Sequence, residues 1–423
     1  MIKIIPAALF FLSFFASLVS NAFLRYLAKK NNFLIDRPDK YRKFHKRETP
    51  LTGGIGITFG IIFSGIFLFY LTNPNYVSEI SSTNFLGQQQ NELHEIKISE
   101  EEGILVKKID AESFSIVLPD GTKNIYKISE SNKSVLVSQE NIADSLIISN
   151  FSVGLVLFTI LLQFLMIFDD LWALKAITRL AIQSFCAAGL IYFSGIYIGS
   201  LGNLFGFGEL FLGSLGIPFT IFCIVGMVNA FNMIDGINGL CASLCLVCFA
   251  SIIYMINAGS IISMIPLILP VGAITGFLMY NLGILGNKRT VFLGDNGSNA
   301  LGFMCAWILV YFSSIDSTNF APITALWLVA IPFIDAVNVM ISRALNGVMP
   351  LRPGRDHIHH QLLDYGFSSD MIYASLILLS GFLAFIGLSF NNSFEGSDYY
   401  SFYGFLLIWV CYYSLTRYIK KNV

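Results

Sequence analysis

Long apolar runs alternate with short polar segments along most of the chain. Eleven of these runs hold about 17 to 22 residues, the length that a helix needs to cross the hydrocarbon core of a bilayer. The pattern therefore predicts an all-α polytopic membrane protein with about eleven transmembrane helices. The runs lie near residues 4–24, 53–72, 151–168, 178–198, 210–231, 239–257, 260–281, 297–313, 320–341, 371–390 and 399–416.

Composition supports the same class of protein. Hydrophobic residues make up 55% of the 423 positions and charged residues only 13%, which excludes an ordinary soluble protein. The bilayer is the expected partner, and no nucleic acid is expected. The start of the fifth run stays open, because residues 202–216 fit either a surface hairpin or part of a broken helix.

Basic residues predict the orientation. Arg25, Lys29 and Lys30 follow the first apolar run at once, which favours an uncleaved helix over a signal peptide. With the N-terminus outside, the inner segments hold most of the Lys and Arg residues, as the positive-inside rule requires. An odd number of spans then places the C-terminus and its closing "RYIKKNV" inside.

One long polar stretch, residues 73–150, interrupts this pattern and is predicted to lie on the outer face. Its segment "FSIVLPDGTKNIYKI" places β-rich flanks around Asp120 and Gly121, which is a hairpin signal. We expect a small β-rich extracytoplasmic insert without catalytic groups. The predicted domains are helices 1 and 2 with a basic inner loop (1–72), the insert (73–150), and helices 3 to 11 with the inner loops (151–423).

The acids near the membrane all fall on the predicted inner face. Asp169 and Asp170 end one helix, Asp235 ends another, and Asp295 precedes a third in "GDNGS". Carboxylates at this depth tend to face a shared cavity or a partner charge. Mg²⁺ is the natural cation, since it takes one or two carboxylates and leaves sites for phosphate oxygens. The glycines of "GDNGS" and "DGING" allow backbone to approach such a ligand.

Cationic groups occupy two other inner loops. "RPGRDHIHHQLLDYGF" holds Arg355 and three histidines in four residues, and anion binding explains it better than zinc, because no cysteine is near. Lys43 and His45 lie in the first loop, "DRPDKYRKFHKRETPLTGG". Two interpretations of that loop stay open: an anchor on anionic headgroups, or a holder for the phosphate of a lipid substrate.

These segments together resemble the polyprenyl-phosphate N-acetylhexosamine-1-phosphate transferases, and most of all their WecA-like branch. The matching motifs are "DRPDKYRKFHKRETPLTGGIGI", "FDD", "NAFNMIDGINGL", "FLGDNGSNALGF", "PFIDAVNVMISR" and "RDHIHHQLLDYGF", in the family's order. The resemblance implies transfer of a sugar 1-phosphate from a UDP-amino sugar, UDP-GlcNAc above all, to a polyprenyl phosphate such as undecaprenyl phosphate, with release of UMP. It also implies a bacterial inner membrane enzyme with a cytoplasmic active site that initiates a cell-envelope glycan.

Roles for individual residues follow from the same resemblance. The catalytic acids are Asp169, Asp170 and Asp235. Asp295 and Asp170 are the ligands of Mg²⁺, with Mn²⁺ as the alternative ion. The resemblance implies substrate binding by Asn229, Asn232, Asn238, His357, His359 and His360, and the charge of the cationic loops adds Arg355, Lys43 and His45 as expected substrate-binding residues.

Some alternatives stay open at this point. The family's common "DGxDG" has Asn238 at its second acid, so another UDP-amino sugar is an alternative, as is UDP-MurNAc-pentapeptide. The acceptor phosphate attacks in line with Asp169 orienting or deprotonating it, or an Asp first forms a phosphorylated intermediate. A secondary transporter is the rival from another class. The resemblance leaves a homodimer open.

Overall fold

A computed structural model describes most of the chain, and helices dominate it. The described residues are 5–38, 47–72, 105–108, 113–117, 122–128, 134–256, 261–314, 321–349, 354–391 and 397–422. The α-helices in chain order are α1 Ile5–Asn31, α2 Gly53–Thr72, α3 Ile142–Trp172, α4 Ala176–Ser194, α5 Gly216–Ile234, α6 Leu240–Met255, α7 Ile261–Asn281, α8 Gly294–Ser314, α9 Pro322–Leu328, α10 Ala330–Leu345, α11 Ile358–Asp364, α12 Ser369–Phe390 and α13 Ser397–Asn422.

Every apolar run found in the sequence overlaps at least one of these helices, so the prediction of a mainly helical membrane protein is confirmed. Among the described residues, six helices are long and apolar enough to span a bilayer, and a bent pair makes seven. The count of eleven and the orientation stay predictions. Two further apolar helices are shorter than these: α6, and α2 over its residues Gly53–Leu68.

The predicted span 320–341 is in fact two helices, α9 and α10, bent by 88° at Val329. Pro332 lies in the first turn of α10 and has no N–H to donate to the carbonyl of Leu328, so α9 cannot continue through it. Trp327 at the end of α9 is fully buried, and its Nε1–H donates to Ser401 Oγ of α13 at 2.9 Å. Helix α13 therefore stabilises the bend through packing and this hydrogen bond.

Close helix packing depends on small residues, as is usual within membranes. Gly272 and Gly276 of α7 lie against the backbone of α1, where a side chain at either position would meet the carbonyl of Phe10 or Phe14. Ser13 Oγ donates to the Leu269 carbonyl in the same interface at 2.6 Å. Gly302 of α8 lies in the same way against Val228 of α5. This second contact brings α5 and α8 close together, and both helices carry polar residues of the site described below.

Strands form two sheets in the described residues. The two-stranded sheet pairs β1 Ile35–Asp36 with β2 Thr49–Pro50 in the segment between α1 and α2. The other sheet is antiparallel, in the order β3 Leu105–Lys108, β4 Ser113–Val117, β5 Thr122–Ile128 and β6 Ser134–Asn141. It belongs to a separate compact unit, residues 69–154, while residues 1–68 and 155–423 form the other unit.

The open question about residues 202–216 is answered by a hairpin between α4 and α5. Ser200 pairs with Phe211, and Leu201 and Leu210 exchange backbone hydrogen bonds with the opposite strand at 3.0 Å. Helix α5 begins only at Gly216, after the hairpin.

Candidate active site

Asp170 binds the N-terminus of α8. Its Oδ1 accepts the Asp295 N–H at 2.8 Å, and its Oδ2 accepts both the backbone N–H and the Nδ2 of Asn296, at 3.2 and 2.6 Å. Gly294, with φ +78°, gives this turn its left-handed conformation and leaves room beside the carboxylate. The two motifs "FDD" and "GDNGS" therefore meet directly, 125 residues apart in sequence.

The first loop joins the same place through its backbone. Phe292 N–H donates to the Pro50 carbonyl at 2.8 Å, and Gly53 N–H donates to the Phe292 carbonyl at 3.0 Å. Gly54 N–H donates to Leu293, and a side chain at Gly54 would strike the backbone of Gly297. The described end of "KRETPLTGG" is thus attached to "FLGDNG". Lys43 and His45, predicted to bind substrate, lie outside the described residues.

Helix α5 brings the third motif to Asp295. Asn232 Nδ2 donates to Asp295 Oδ1 at 3.1 Å and to Ser298 Oγ at 3.0 Å. Asp235 follows the last residue of this helix, and its partly buried carboxyl lies in the field of Asp295 and Asp170. Burial, with smaller contributions from those two carboxylates, raises the pKa of Asp235 to about 8. Three acids from three distant segments therefore lie close enough for their charges to interact.

The histidine segment packs on the turn that follows Asp235. A Cβ built on Gly236 would lie 2.1 Å from His359 Nε2, so only glycine allows this contact. His359 is fully buried, and neither of its ring nitrogens has a hydrogen-bond partner among the described residues. The rings of His359 and His360 lie 4.2 Å apart, and that of His357 stacks 6.1 Å from His359. The "HIHH" and "DGING" motifs are therefore in direct contact.

We expect His359 to make the folded protein sensitive to acid. Burial, and to a lesser extent the nearby His360, lowers the pKa of His359 to about 3 from an ordinary 6.5. The ring stays neutral in the folded protein while the unfolded chain binds a proton below pH 6.5, so stability is lost as pH falls. At pH 5 the loss is about 2 kcal/mol. Thermal unfolding in detergent at pH 7 and 5 measures it, and His359→Phe should flatten the difference; an equal slope in both proteins would contradict the assignment.

Asp169 faces a different partner from Asp170. It is buried, its Oδ1 accepts the Leu174 N–H at 2.8 Å, and its Oδ2 accepts from Arg179 at 3.3 Å. These bonds hold the turn between α3 and α4. The role of Asp169 in orienting the acceptor stays a prediction. In that role its carboxylate would act while paired with Arg179.

Three of the predicted substrate-binding residues, Asn229, Asn238 and Arg355, lie in different surroundings. Asn229 Nδ2 donates to Gln183 Oε1 at 2.7 Å, and Gln183 in turn donates to Asn299 Oδ1, so Asn229 is part of an internal amide chain between α4, α5 and α8. Asn238 is exposed on the "DGING" turn. Arg355 lies before the histidines and donates to Asp364 Oδ1 at 2.8 Å.

Asp170 and Asp295 fit a magnesium ion only with the help of a substrate. No group of three or more His, Cys, Asp or Glu side chains in the described part of the chain is arranged to hold a metal ion. Mg²⁺ needs no such cage, because it binds through one or two carboxylates and takes phosphate oxygens and water for the rest. Asp170 and Asp295 meet at the first turn of α8 and supply the one or two carboxylates that such an ion requires. The residues present therefore fit the predicted ion.

Sequence reasoning missed several polar residues that build the site. Asn281 Oδ1 accepts the Gly239 N–H at 2.5 Å, and its Nδ2 donates to the Val291 carbonyl at 2.8 Å, so it ties "DGING" to the approach to "GDNGS". Asn296, Arg179 and Asp335 were likewise given no role. A buried polar residue at the end of an apolar run, as at Asn281, is the signal that marks such positions.

The bundle and its polar end define a polytopic membrane protein with one acid- and histidine-lined site. The profile of glycosyl transferase family 4 matches residues 152–313, which include Asp169, Asp170, Asp235 and Asp295. Similar proteins are the undecaprenyl-phosphate alpha-N-acetylglucosaminyl 1-phosphate transferases of Escherichia coli K12 and Haemophilus influenzae. The first is 35% identical over 62% of this chain and 73% of its own length, and the second 37% identical over 59% and 71%. The chain belongs to glycosyl transferase family 4.

Proposed function

We propose that this protein transfers N-acetylglucosamine 1-phosphate from UDP-GlcNAc to undecaprenyl phosphate and releases UMP. Relatives from several bacteria carry that activity in their names, at 33 to 37% identity. The observation that carries the proposal for this chain is the junction of Asp170, Asp235 and Asp295 with the histidine segment. A reaction between two anionic phosphates needs such a place, where acids hold a cation and histidines contact the nucleotide.

The chemistry is a displacement at the phosphorus that bears the sugar. An oxygen of the acceptor phosphate forms the new P–O bond, the bond from that phosphorus to the bridging oxygen breaks, and UMP leaves with the bridging oxygen. The acceptor has a second pKa of about 6, so it is largely a dianion near pH 7 and needs orientation more than deprotonation. Repulsion between the anions is the main barrier, and fixed positioning of both reactants lowers it.

Asp295 and Asp170 would hold Mg²⁺, or Mn²⁺ in its place. When bound, the ion would neutralise charge on the diphosphate and the departing UMP. Asp170 also keeps the first turn of α8 in place through its three hydrogen bonds. Asn232 orients Asp295, and the pair of buried Asp169 with partly exposed Arg179 fixes the end of α3 that presents Asp170.

A single in-line displacement predicts inversion of configuration at phosphorus. The competing path, with an aspartyl-phosphate intermediate, contains two displacements and predicts retention. We expect inversion, because Asp170 accepts three hydrogen bonds and Asp169 is paired with Arg179, and both contacts make these carboxylates weaker nucleophiles. A UDP-GlcNAc with a chiral, isotopically labelled phosphorothioate distinguishes the two, and retention would rule out the single step.

We place the site on the cytoplasmic face of a bacterial inner membrane, with eleven spans and the N-terminus outside. Support comes from the basic residues near this end of the bundle, among them Lys175, Lys288 and Arg289. Single cysteines at Lys288 and at Phe207, which is exposed on the opposite hairpin, should label from opposite sides in a cysteine-free background. Labelling of position 288 from outside intact cells would reverse the orientation.

A panel of UDP-sugars tests the reaction itself. Purified protein, Mg²⁺ and undecaprenyl phosphate are incubated with UDP-GlcNAc, other UDP-amino sugars and UDP-MurNAc-pentapeptide, and UMP release is measured. We expect release that needs both the metal and the lipid and is fastest with UDP-GlcNAc. A faster reaction with another sugar changes the assigned substrate. Uptake into sealed vesicles without any UMP release would instead favour the transporter.

A further inference from the structure

Asp335 lies in α10, the second helix of the bent apolar pair, and is 1% exposed. A buried carboxylate is costly unless it has partners. Its partners come from the histidine segment and from α13. His357 Nδ1 lies 2.7 Å from Asp335 Oδ2, the Ile358 N–H donates to Asp335 Oδ1 at 2.9 Å, and Tyr412 Oη–H donates to the same oxygen at 2.9 Å.

The hydrogen bonds fix the protonation of the His357 ring. An ionised carboxylate only accepts hydrogen bonds, so the nitrogen beside Asp335 Oδ2 must carry a proton. Nδ1–H therefore points to Asp335, and in the neutral ring Nε2 is the unprotonated nitrogen that can accept a hydrogen bond. His357 itself is 5% exposed, and its ring has little room to turn. A carboxylate that holds a histidine in one tautomer is a recurring way to orient a functional imidazole.

The neighbouring residue is attached to the same two helices. Asp356 accepts from Arg343 of α10, with Nη2 at 3.0 Å, and lies 3.7 Å from Lys420 Nζ of α13. A side chain at Gly354 would lie 2.6 Å from Arg343 Nη2, so the chain passes close over that buried guanidinium. Residues 356 and 357 are thus held at two successive points by α10 and α13, just before the short helix α11.

We propose that Asp335, supported by Tyr412, is the positioning residue that sets the tautomer of His357 and the place of the histidine segment against the "DGING" turn. This inference rests on the proposed function for its effect on substrate. Asp335 touches no reacting atom; it acts through His357. Its loss should therefore weaken binding of the uridine nucleotide and leave the acids at the α8 N-terminus in place.

Asp335→Asn tests the tautomer directly. The amide can keep its oxygen toward Ile358 and Tyr412, but its NH₂ then faces His357 Nδ1 and requires that nitrogen to accept. We expect the proton to move to Nε2, seen in ¹⁵N spectra of histidine-labelled protein in detergent, with the His357 signals assigned from their loss in His357→Gln. Unchanged His357 signals in a folded Asp335→Asn protein would overturn the proposal, and this readout needs no enzymatic activity.

A double-mutant cycle tests whether Asp335 acts through His357. We expect Asp335→Asn to raise KM for UDP-GlcNAc about 30-fold with kcat changed less than threefold, and Tyr412→Phe to raise it severalfold. In the His357→Gln background, Asp335→Asn should add less than twofold, because residues in one network are not additive. Independent, multiplicative effects would overturn the positioning role. UMP affinity is measured on the same samples, with the exposed Asp370→Asn as the matched control. A wild type without transfer activity would refute the proposed function, while the tautomer still decides the role of Asp335.

Discussion

Asp295→Asn is expected to lower kcat by about 10³-fold or more. The substitution keeps the shape of the side chain and the oxygen that accepts from Asn232 Nδ2, so the turn at the start of α8 should remain. It removes the negative charge, which is worth several kcal/mol if a divalent cation stabilises the departing UMP there. UMP release at saturating substrates, over a range of Mg²⁺ concentrations, measures the effect.

The control for this variant is Asp370→Asn, which removes an exposed acid in the first turn of α12 and should leave turnover unchanged. Unfolding temperatures of the three proteins in detergent show whether any loss comes from the fold. An Asp295→Asn protein that turns over like the wild type would remove the cation from this position. Loss of turnover with a normal unfolding temperature and a weaker response to Mg²⁺ would assign the charge to the metal.

The meeting of the acids at one end of the bundle could be predicted from the sequence. Each membrane helix crosses once, so residues at successive helix ends fall on predictable sides, and Asp170, Asp235 and Asp295 all follow or precede an apolar run. The side of the bundle on which they meet can be predicted without knowledge of helix packing. The hydrophobic pattern therefore gave the approximate position of the site, although the roles of its residues stay predictions.

The different contacts of Asp169 and Asp170 could not be predicted. Adjacent residues point about 100° apart on a helix, so one acid of the pair faces α8 and the other faces Arg179. Which acid faces which helix depends on the rotation of α3 about its axis. A helix that is apolar all round does not encode that rotation in its pattern, since lipid and protein neighbours are equally apolar.

The role of Asp335 was missed for a related reason. A single acid in an apolar run indicates that some partner exists, but nothing in the pattern identifies it. The partners, His357 and Tyr412, are 22 and 77 residues away and come from a loop and from the C-terminal helix. The bend at Val329 could not be predicted either, because residues 320–341 are as apolar as a straight span.

Gly236→Ala is the second substitution with a large expected effect. Gly236 has no left-handed backbone requirement, so alanine is conformationally allowed and the effect should be purely steric. The added methyl would lie 2.1 Å from His359 Nε2 and 2.6 Å from its Cδ2. Since His359 is fully buried, either the histidine segment or the turn after Asp235 must move by about 1 Å. A shift of that size near reacting groups costs about 10²-fold in kcat/KM.

Gly226→Ala on α5 is the matched control, because a methyl group there meets nothing within 4 Å. It should leave kcat/KM unchanged and the helix no less stable, whereas Gly236→Ala should raise KM for UDP-GlcNAc and weaken UMP binding. Both variants carry the same chemical change on the same membrane helix or its end, so only the contact with His359 separates them. Equal activities would mean that the "DGING" turn and the histidines are not joined in the working enzyme, and the site would then have to be built from the acids alone.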